Sequence, residues 1–265
     1  MPPPEIVTSR AHPLVKRLRA LLADSARSGL AVLEGGKLVE EALAAGVAIV
    51  ECAVTPDLAE GRLAGLITDL TNAGAAVRVV APGVLGALSE TETSQGILAI
   101  ARRPAFDEAE MFAETPLIVV GVGIQNPGNV GALMRTAEAA GATGAYLTAE
   151  SADPMSWKAL RGSMGSAFRL PHVSGLGVDA MLARLAQRGV TTIATVASGG
   201  DRYDRMDFTG PVAFLFGNEG AGLSSDVVAR AGRRVAIPMA APVDSLNVAV
   251  AAGVLLFEAR RQRRG

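Results

Sequence analysis

The sequence has a single cysteine, Cys52, and two histidines, His12 and His172. One thiol can neither close an intramolecular disulfide nor build a cysteine-based metal site. The histidines lie far apart in the chain, which argues against zinc. Aromatic residues make up only 4%. No apolar run reaches about 18 residues without a charge or a turn former, so no membrane span is expected. The opening residues, Met-Pro-Pro-Pro-Glu, lack the basic and apolar regions of a signal peptide, and a cytoplasmic protein is the expectation. A Gly-x-x-x-x-Gly-Lys-Ser/Thr loop is missing, which removes the P-loop kinases and ATPases. A Gly-x-Ser-x-Gly elbow is missing too. Gly162-Ser163-Met164-Gly165-Ser166 has the wrong spacing.

What is present is a chain of 265 residues, 49% apolar and 19% charged. Such a composition supports a core and speaks against disorder. The length fits one large or two small domains. The net charge of −1 does not announce a nucleic-acid binder, but the charge is uneven. Arg10, Lys16, Arg17 and Arg19 share a segment with no acid before Asp24. Leu14, Leu18, Leu21 and Leu22 recur at helical spacing, so this is an amphipathic helix with a basic face. That face is either simply solvated or contacts RNA. Arg260, Arg261, Arg263 and Arg264 also cluster, where cations complement the C-terminal end of a helix dipole.

From Ala31 strand and helix patterns alternate. Strands are expected at 31–34, 49–54, 77–80 and 96–101, with helices at 36–45, 58–72 and 84–88. These form a small α/β domain over residues 1–102. Residues 103–116, with two prolines and four acids, read as a linker. A larger α/β domain follows over 117–265. Its strands are expected at 117–122, 145–147, 191–196, 212–216 and 234–237. Its helices are expected at 130–140, 178–187 and 246–261, with a short one before Ile237. Continuous alternation predicts a mostly parallel sheet.

Three loops at strand ends carry the polar residues that a crevice would use. In the first, Gly121-Val122-Gly123-Ile124-Gln125-Asn126 begins like a dinucleotide fingerprint, but Asn126 stands where the last glycine is needed. Glu150 could mimic the ribose-binding acid of that motif. Asn129 could cap the next helix. Arg135 sits among small and apolar residues. A buried guanidinium needs a carboxylate or an anion, and Glu138 and Glu219 are the candidate carboxylates. In the second loop Glu219 lies among Gly217, Gly220 and Gly222, which permit close backbone approach to a ligand. In the third, Ser245, Leu246 and Asn247 bracket the start of the last helix, where Ser245 could be its N-cap.

Taken together, these motifs resemble the SpoU (TrmH) class of SPOUT RNA 2′-O-ribose methyltransferases. The residues are Asn126-Pro127-Gly128-Asn129-Val130-Gly131 with Arg135-Thr136-Ala137, then Gly217-Asn218-Glu219-Gly220-Ala221-Gly222-Leu223. Ile237-Pro238-Met239 with Ser245-Leu246-Asn247-Val248-Ala249-Val250-Ala251 completes the set. Ser9-Arg10-Ala11-His12-Pro13-Leu14-Val15-Lys16 and Thr93-Ser94-Gln95-Gly96-Ile97 are similar to the substrate-binding domain of ribosomal-RNA members. Gln125-Asn126-Pro127 departs from the Asp-Pro that many members carry. The resemblance implies S-adenosyl-L-methionine as cofactor, RNA as substrate, a homodimer and a trefoil knot in the C-terminal segment. It implies functional polar roles for Asn129, Arg135, Glu219, Ser245 and Asn247, and cofactor contacts at Gly217, Ile237 and Leu246. The extra N-terminal domain favours ribosomal over transfer RNA. An arginine is a poor base, so Arg135 is expected to orient phosphate and hydroxyl. A nicotinamide-dependent oxidoreductase and a non-catalytic RNA-binding module are the competing readings.

Overall fold

Strands that bury alternate residues on opposite faces organise the first of two units. The computed structural model describes residues 6–24, 28–88 and 94–264. Thr93, part of a motif named above, lies outside the described residues. The first unit comprises Met1–Pro104 and Met155–Phe168. Its elements are α1 (Pro13–Ala23), β1 (Leu30–Glu34), α2 (Gly36–Ala44), β2 (Ile49–Val54), α3 (Pro56–Glu60), α4 (Ala64–Asn72), β3 (Ala76–Val79), α5 (Pro82–Gly86) and β4 (Ile97–Arg102). The sheet order is β1-β4-β2-β3. Strand β4 runs antiparallel to β1 and β2, and β2 runs parallel to β3. This smaller sheet is therefore mixed, not parallel.

Ala31, Leu33, Cys52, Val54, Ile97 and Ala99 join one core with α2 and α4. Val32, Ala53, Leu98 and Ile100 join the other with α1 and α5. Burial pushes the Cys52 thiol up to about 12, so it behaves as a small hydrophobe. Helix α1 is amphipathic as expected. Leu14, Val15, Leu18 and Leu21 are buried, and Arg10, Lys16, Arg17 and Arg19 are exposed. The single helix expected over 58–72 is two, parted at Gly61, where an added Cβ would lie 2.6 Å from the Asp57 carbonyl oxygen.

The second unit comprises Ala105–Pro154 and Arg169–Gly265. Its elements are β5 (Leu117–Gly121), α6 (Pro127–Ala140) and β6 (Gly144–Thr148), then, after α7 (Trp157–Ser163) of the first unit, β7 (His172–Leu176), α8 (Val178–Gln187), β8 (Thr191–Thr195), β9 (Asp201–Arg202), β10 (Val212–Phe216), α9 (Ser225–Arg230), β11 (Arg233–Ala236) and α10 (Val248–Arg263). The sheet order is β7-β6-β5-β10-β8-β11-β9, and every strand pair is parallel. Strands β5, β6 and β10 are buried throughout, as parallel strands covered on both faces require. Strands β7 and β9 lack an apolar signature because they are partly exposed edges.

Two segments sit differently from the expected division. Met155–Phe168 belongs to the first unit although the sequence places it inside the second domain. Leu160 and Phe168, 0% and 4% exposed, enter the core beside Ala31 and Leu33. Each contributes about 1.5–3 kcal/mol of burial. Of residues 103–116, expected as a linker, those from Ala105 onward are built into the second unit, and the first two belong to the first unit. A 3-10 turn at Glu108–Phe112 buries Met111 completely. An added Cβ at Gly144 would lie 2.4 Å from the Met111 Cγ. Glu108 accepts from the buried Tyr146 hydroxyl and pairs with Arg184. Burial, and then this carboxylate, push the Tyr146 pKa up.

The basic C-terminal cluster is structural. Arg263 donates from Nε to the Phe208 carbonyl at 2.9 Å and from Nη1 to that of Thr115 at 2.9 Å. Its Nη2 donates to Pro116 at 2.9 Å and to Gly210 at 2.5 Å. Arg261 pairs with Glu258 at 2.8 Å, and Arg260 donates to the Ala139 carbonyl. Replacing Arg263 with Met keeps the stem and strips the donors from four carbonyls. We expect a loss of about 2–3 kcal/mol, measured by denaturant unfolding. An unchanged midpoint would mean that water replaces the clamp.

Candidate functional site

The chain lays down β5, β6 and β7 outward in one direction, then places β10 between β5 and β8. Such a reversal opens a crevice at the carboxyl ends of the strands. A cleft of about 660 Å³ lies there, lined by the ends of β8 and β10 and by the loops after β10 and β11. That volume suits a small-molecule ligand. Its walls include Gly217, Glu219, Ile237, Ser245, Leu246, Asn247 and Asn129. Seven of the eight residues assigned to catalysis or cofactor binding therefore meet at one cleft. Thr195, Val196, Phe216, Asn218, Met239 and Asp244 line it as well. The signal that could have found Thr195 and Val196 is their place at the end of a central strand.

The loop after β10 is closed by its own backbone and by Asn218. Asn218 and Gly222 exchange backbone hydrogen bonds at 3.2 and 2.8 Å. Asn218 Oδ1 accepts from the Gly220 and Ala221 N–H groups at 2.9 and 3.2 Å, and Nδ2 donates to the Gly123 carbonyl at 2.9 Å. The two limbs touch at Gly217. A Cβ there would sit 2.2 Å from the Gly222 carbonyl carbon and 2.3 Å from the Leu223 nitrogen. Gly222 has φ of 68°, in the region that favours glycine.

Glu219 then reaches the loop after β5. Its Oε1 accepts from the Asn126 N–H at 3.2 Å and from Asn129 Nδ2 at 2.9 Å, and its Oε2 accepts from the Gln125 N–H at 3.3 Å. Partial burial pushes its pKa up. The hydrogen bond from Asn129 and those from backbone N–H groups outweigh this, so the carboxyl titrates below its usual 4.5. Asn129 Oδ1 in turn accepts from Asn247 Nδ2 at 2.9 Å. One carboxylate and two amides thus join the three motif loops.

Capping explains why the two helices start where they do. Asn126, not Asn129, caps α6: its Oδ1 accepts from the Gly128 and Asn129 N–H groups at 2.8 and 3.4 Å. Pro127 fills the first turn, where no N–H is needed. Asn247, not Ser245, caps α10, accepting from the Ala249 N–H at 2.9 Å. Ser245 Oγ donates instead to Asp244 Oδ1 at 3.1 Å. Both helices therefore begin later or earlier than the apolar pattern alone suggests, Pro127 for α6 and Val248 for α10.

Arg135 differs from its expected setting. It is exposed on α6 and does not line the cleft. Glu138 is held by Arg169 at 2.6 and 3.0 Å, and Glu219 is engaged as described. Among the described residues Arg135 makes no hydrogen bond or ion pair. It shares an outward stripe of α6 with Gly128 and Ala139, so no desolvation cost demands a partner. Of the basic helix, Arg10, Lys16 and Arg19 face solvent, and Arg17 pairs with Glu51 at 3.4 Å.

The dinucleotide reading of the loop after β5 fails on hydrogen bonding. The Val122 N–H donates to the Phe216 carbonyl at 2.8 Å. The Gly123 N–H donates to Thr148 Oγ1 at 2.9 Å and the Ile124 N–H to Ser151 Oγ at 3.1 Å. Those of Gln125 and Asn126 go to Glu219. No N–H is left in this stretch to cradle a pyrophosphate, and the cleft lies at the neighbouring strands.

Residues 116–257 match the SpoU rRNA Methylase family, and residues 32–106 match a domain described as RNA 2′-O ribose methyltransferase substrate binding. A protein of Synechocystis sp., described as a tRNA/rRNA methyltransferase, is 36% identical over 97% of this chain and 94% of its own length. The 23S rRNA (guanosine(2553)-2′-O)-methyltransferase RlmP of Bacillus subtilis is 31% identical over 86% of this chain and 88% of its own. The AdoMet-bound rRNA methyltransferase of Sinorhizobium meliloti superposes with a TM-score of 0.84 at 32% identity, covering 97% of both chains. The cleft joined by Glu219, Asn129 and Asn247 is thus built from the three motifs inside the matched region, and the chain belongs to the SpoU rRNA methylase family.

Proposed function

We propose that this protein transfers a methyl group from S-adenosyl-L-methionine to a ribose 2′-hydroxyl of ribosomal RNA. The observation that carries the reading is the hydrogen-bonded union of three motif loops around one cleft. The residues present fit the cofactor. The 660 Å³ cleft has apolar walls at Ile237, Leu246, Val196 and Phe216, and Gly217 leaves its rim free of side chain. Matches to relatives that act on ribosomal RNA span both units of the chain, which favours ribosomal over transfer RNA. The cytoplasm is the compartment that this substrate supports.

When bound, S-adenosyl-L-methionine supplies an electrophilic methyl group on a sulfonium. Glu219 fixes Asn129, and Asn129 fixes Asn247, so the loops hold one geometry before substrate arrives. Ser245 and Leu246 present a hydroxyl and an apolar surface at the rim. Arg135, charged, solvated and unpaired, is available to a backbone phosphate of the RNA. Its role is to orient the strand and the 2′-hydroxyl toward the cleft. Exposed Val250 and Phe257 on α10, which packs on α6, support a homodimer through that face. The strand order and the Asn129–Asn247 bond support a knotted C-terminal segment.

Three outcomes test this reading. Arg135→Ala should lower methyl transfer to ribosomal RNA by about a hundredfold while calorimetric cofactor affinity stays unchanged. Near-full transfer would remove Arg135 from the mechanism. Three donors converge on Glu219, and an amide cannot accept all of them, so Glu219→Gln should weaken cofactor binding by about tenfold or more. Because the Glu219 pKa is depressed on folding, its contribution is present above the usual 4.5 and lost as pH falls through the lower folded value. Wild-type affinity should therefore show an acid limb that the variant lacks. Phe257→Glu should shift the sedimenting species from dimer to monomer. A wild-type monomer at all concentrations would sink the dimer.

A further inference from the structure

Strand β3 is the outer strand of the first unit's sheet. Val7 bridges its free edge in parallel at Val80. The Val7 N–H donates to the Val79 carbonyl and the Ala81 N–H to the Val7 carbonyl, both at 2.9 Å. The chain then turns away through Thr8 and Ser9 into α1, and the His12 N–H donates to the Ser9 carbonyl at 3.2 Å. A notch of about 550 Å³ lies between this diverging chain and the edge of β3. Thr8, Ser9, His12 and Arg78 line it, together with Val77 and Val79.

The polar side chains at this notch are donors. Alternation along β3 turns Val77 to the core with α2 and α4, and Arg78 to the face of Val80, which packs with α1. Arg78 is exposed and, among the described residues, makes no hydrogen bond or ion pair. His12 is half-buried. Its Nδ1 accepts from the Leu14 N–H at 3.3 Å, so the ring proton sits on Nε2 and can be donated. Ser9 Oγ accepts from the Ala11 N–H at 3.1 Å, which leaves its own hydroxyl hydrogen for a ligand. No aspartate or glutamate occurs within 6–23 or 76–88. Glu51, on the neighbouring strand β2, is paired with Arg17 at 3.4 Å. Pro13 has no N–H and that of Leu14 is used, so the donors are side chains of two separate elements and not a helix end.

We infer that the notch holds a backbone phosphate of the RNA substrate, with Arg78 and His12 as its principal donors and Thr8 and Ser9 beside them. The guanidinium fork matches two phosphate oxygens, and the imidazole and hydroxyls supply neutral donors of the kind that position a nucleic-acid backbone. Arg10 and Lys16, exposed and without an ion pair among the described residues, extend the positive rim around the start of α1. A rim of several cations suits a polyanion better than one isolated anion. An open strand edge can also take a peptide strand, but the acid-free, cationic wall favours RNA. This inference rests on the reading of the protein as an RNA methyltransferase and deepens it, assigning a substrate contact to residues outside the cofactor cleft.

Filter binding of the full-length protein to transcribed 23S ribosomal RNA, repeated over a range of salt concentrations, tests the contact. Arg78→Gln should weaken binding by about tenfold and lower the slope of log affinity against log salt by about one. Arg78→Lys should restore the slope, because the charge returns. His12→Asp keeps an acceptor for the Leu14 N–H and hence the helix cap, but it sets an anion in the notch. It should weaken RNA binding by about tenfold or more with an unchanged thermal midpoint. In steady-state methyl transfer the Arg78→Gln and His12→Asp variants should raise KM for RNA and leave kcat in place. Calorimetric binding of S-adenosyl-L-methionine should stay at the wild-type value in all three. If wild-type protein binds and methylates RNA and the variants match its affinity and salt slope, the contact is wrong and the methyltransferase reading stands. Altered self-association with unchanged RNA affinity would assign the notch to a protein partner and overturn the contact. If wild-type protein neither binds nor methylates RNA, both readings fall.

Discussion

The carboxylate of Glu219 is the constraint on which the second unit's cleft depends. It gathers two backbone N–H groups and the Asn129 amide, all from another strand's loop. Each bond alone is modest. Together they convert three separate strand ends into one object, because Asn129 passes the connection on to Asn247. A charged acceptor suits this task better than a neutral one, since hydrogen bonds to an ionised group are shorter and stronger. The arrangement also uses up the donors of the loop after β5, so that loop serves as scaffold and not as a phosphate cradle.

The scaffold works because the strands beneath it cannot shift. Strand β10 is buried on both faces between β5 and β8. Phe214 meets Phe208 edge-on at 5.0 Å between ring centroids, while Ala213 and Leu215 enter the opposite core. At its other end the unit is tied by Arg263, which gathers carbonyls from two segments. Burial lowers the pKa of that guanidinium, yet it remains charged and its planar fork matches several acceptors. The same residue type thus serves two ends: Arg263 as a clamp, paired and partly buried, and Arg135 as a free cation in water.

Much of the fold was legible in the sequence. Continuous apolar runs mark β5 and β10, and periodic leucines mark α1. The motif residues Asn129, Glu219 and Asn247 stand out as polar groups among glycines and apolar residues at strand ends. The failures share a cause. The edge strands β7 and β9, the split between α3 and α4, and the docking of residues 105–116 depend on partners distant in sequence. So does the sorting of Met155–Phe168 into the first unit. No periodicity within α7 says which sheet will cover Leu160.

The sequence by itself determined which residues are available for chemistry and at which strand ends they lie, because side-chain type and apolar period are local properties. Only the tertiary structure decided which donor meets which acceptor. It gave Glu219 to Asn129 and left Arg135 in solvent, and it made Asn126 and Asn247 the caps in place of Asn129 and Ser245. The physical reason is that a hydrogen bond requires its partners within about 3 Å, and chain separations of 90 and 118 positions reach that range only after the parallel sheet has brought the strand ends together.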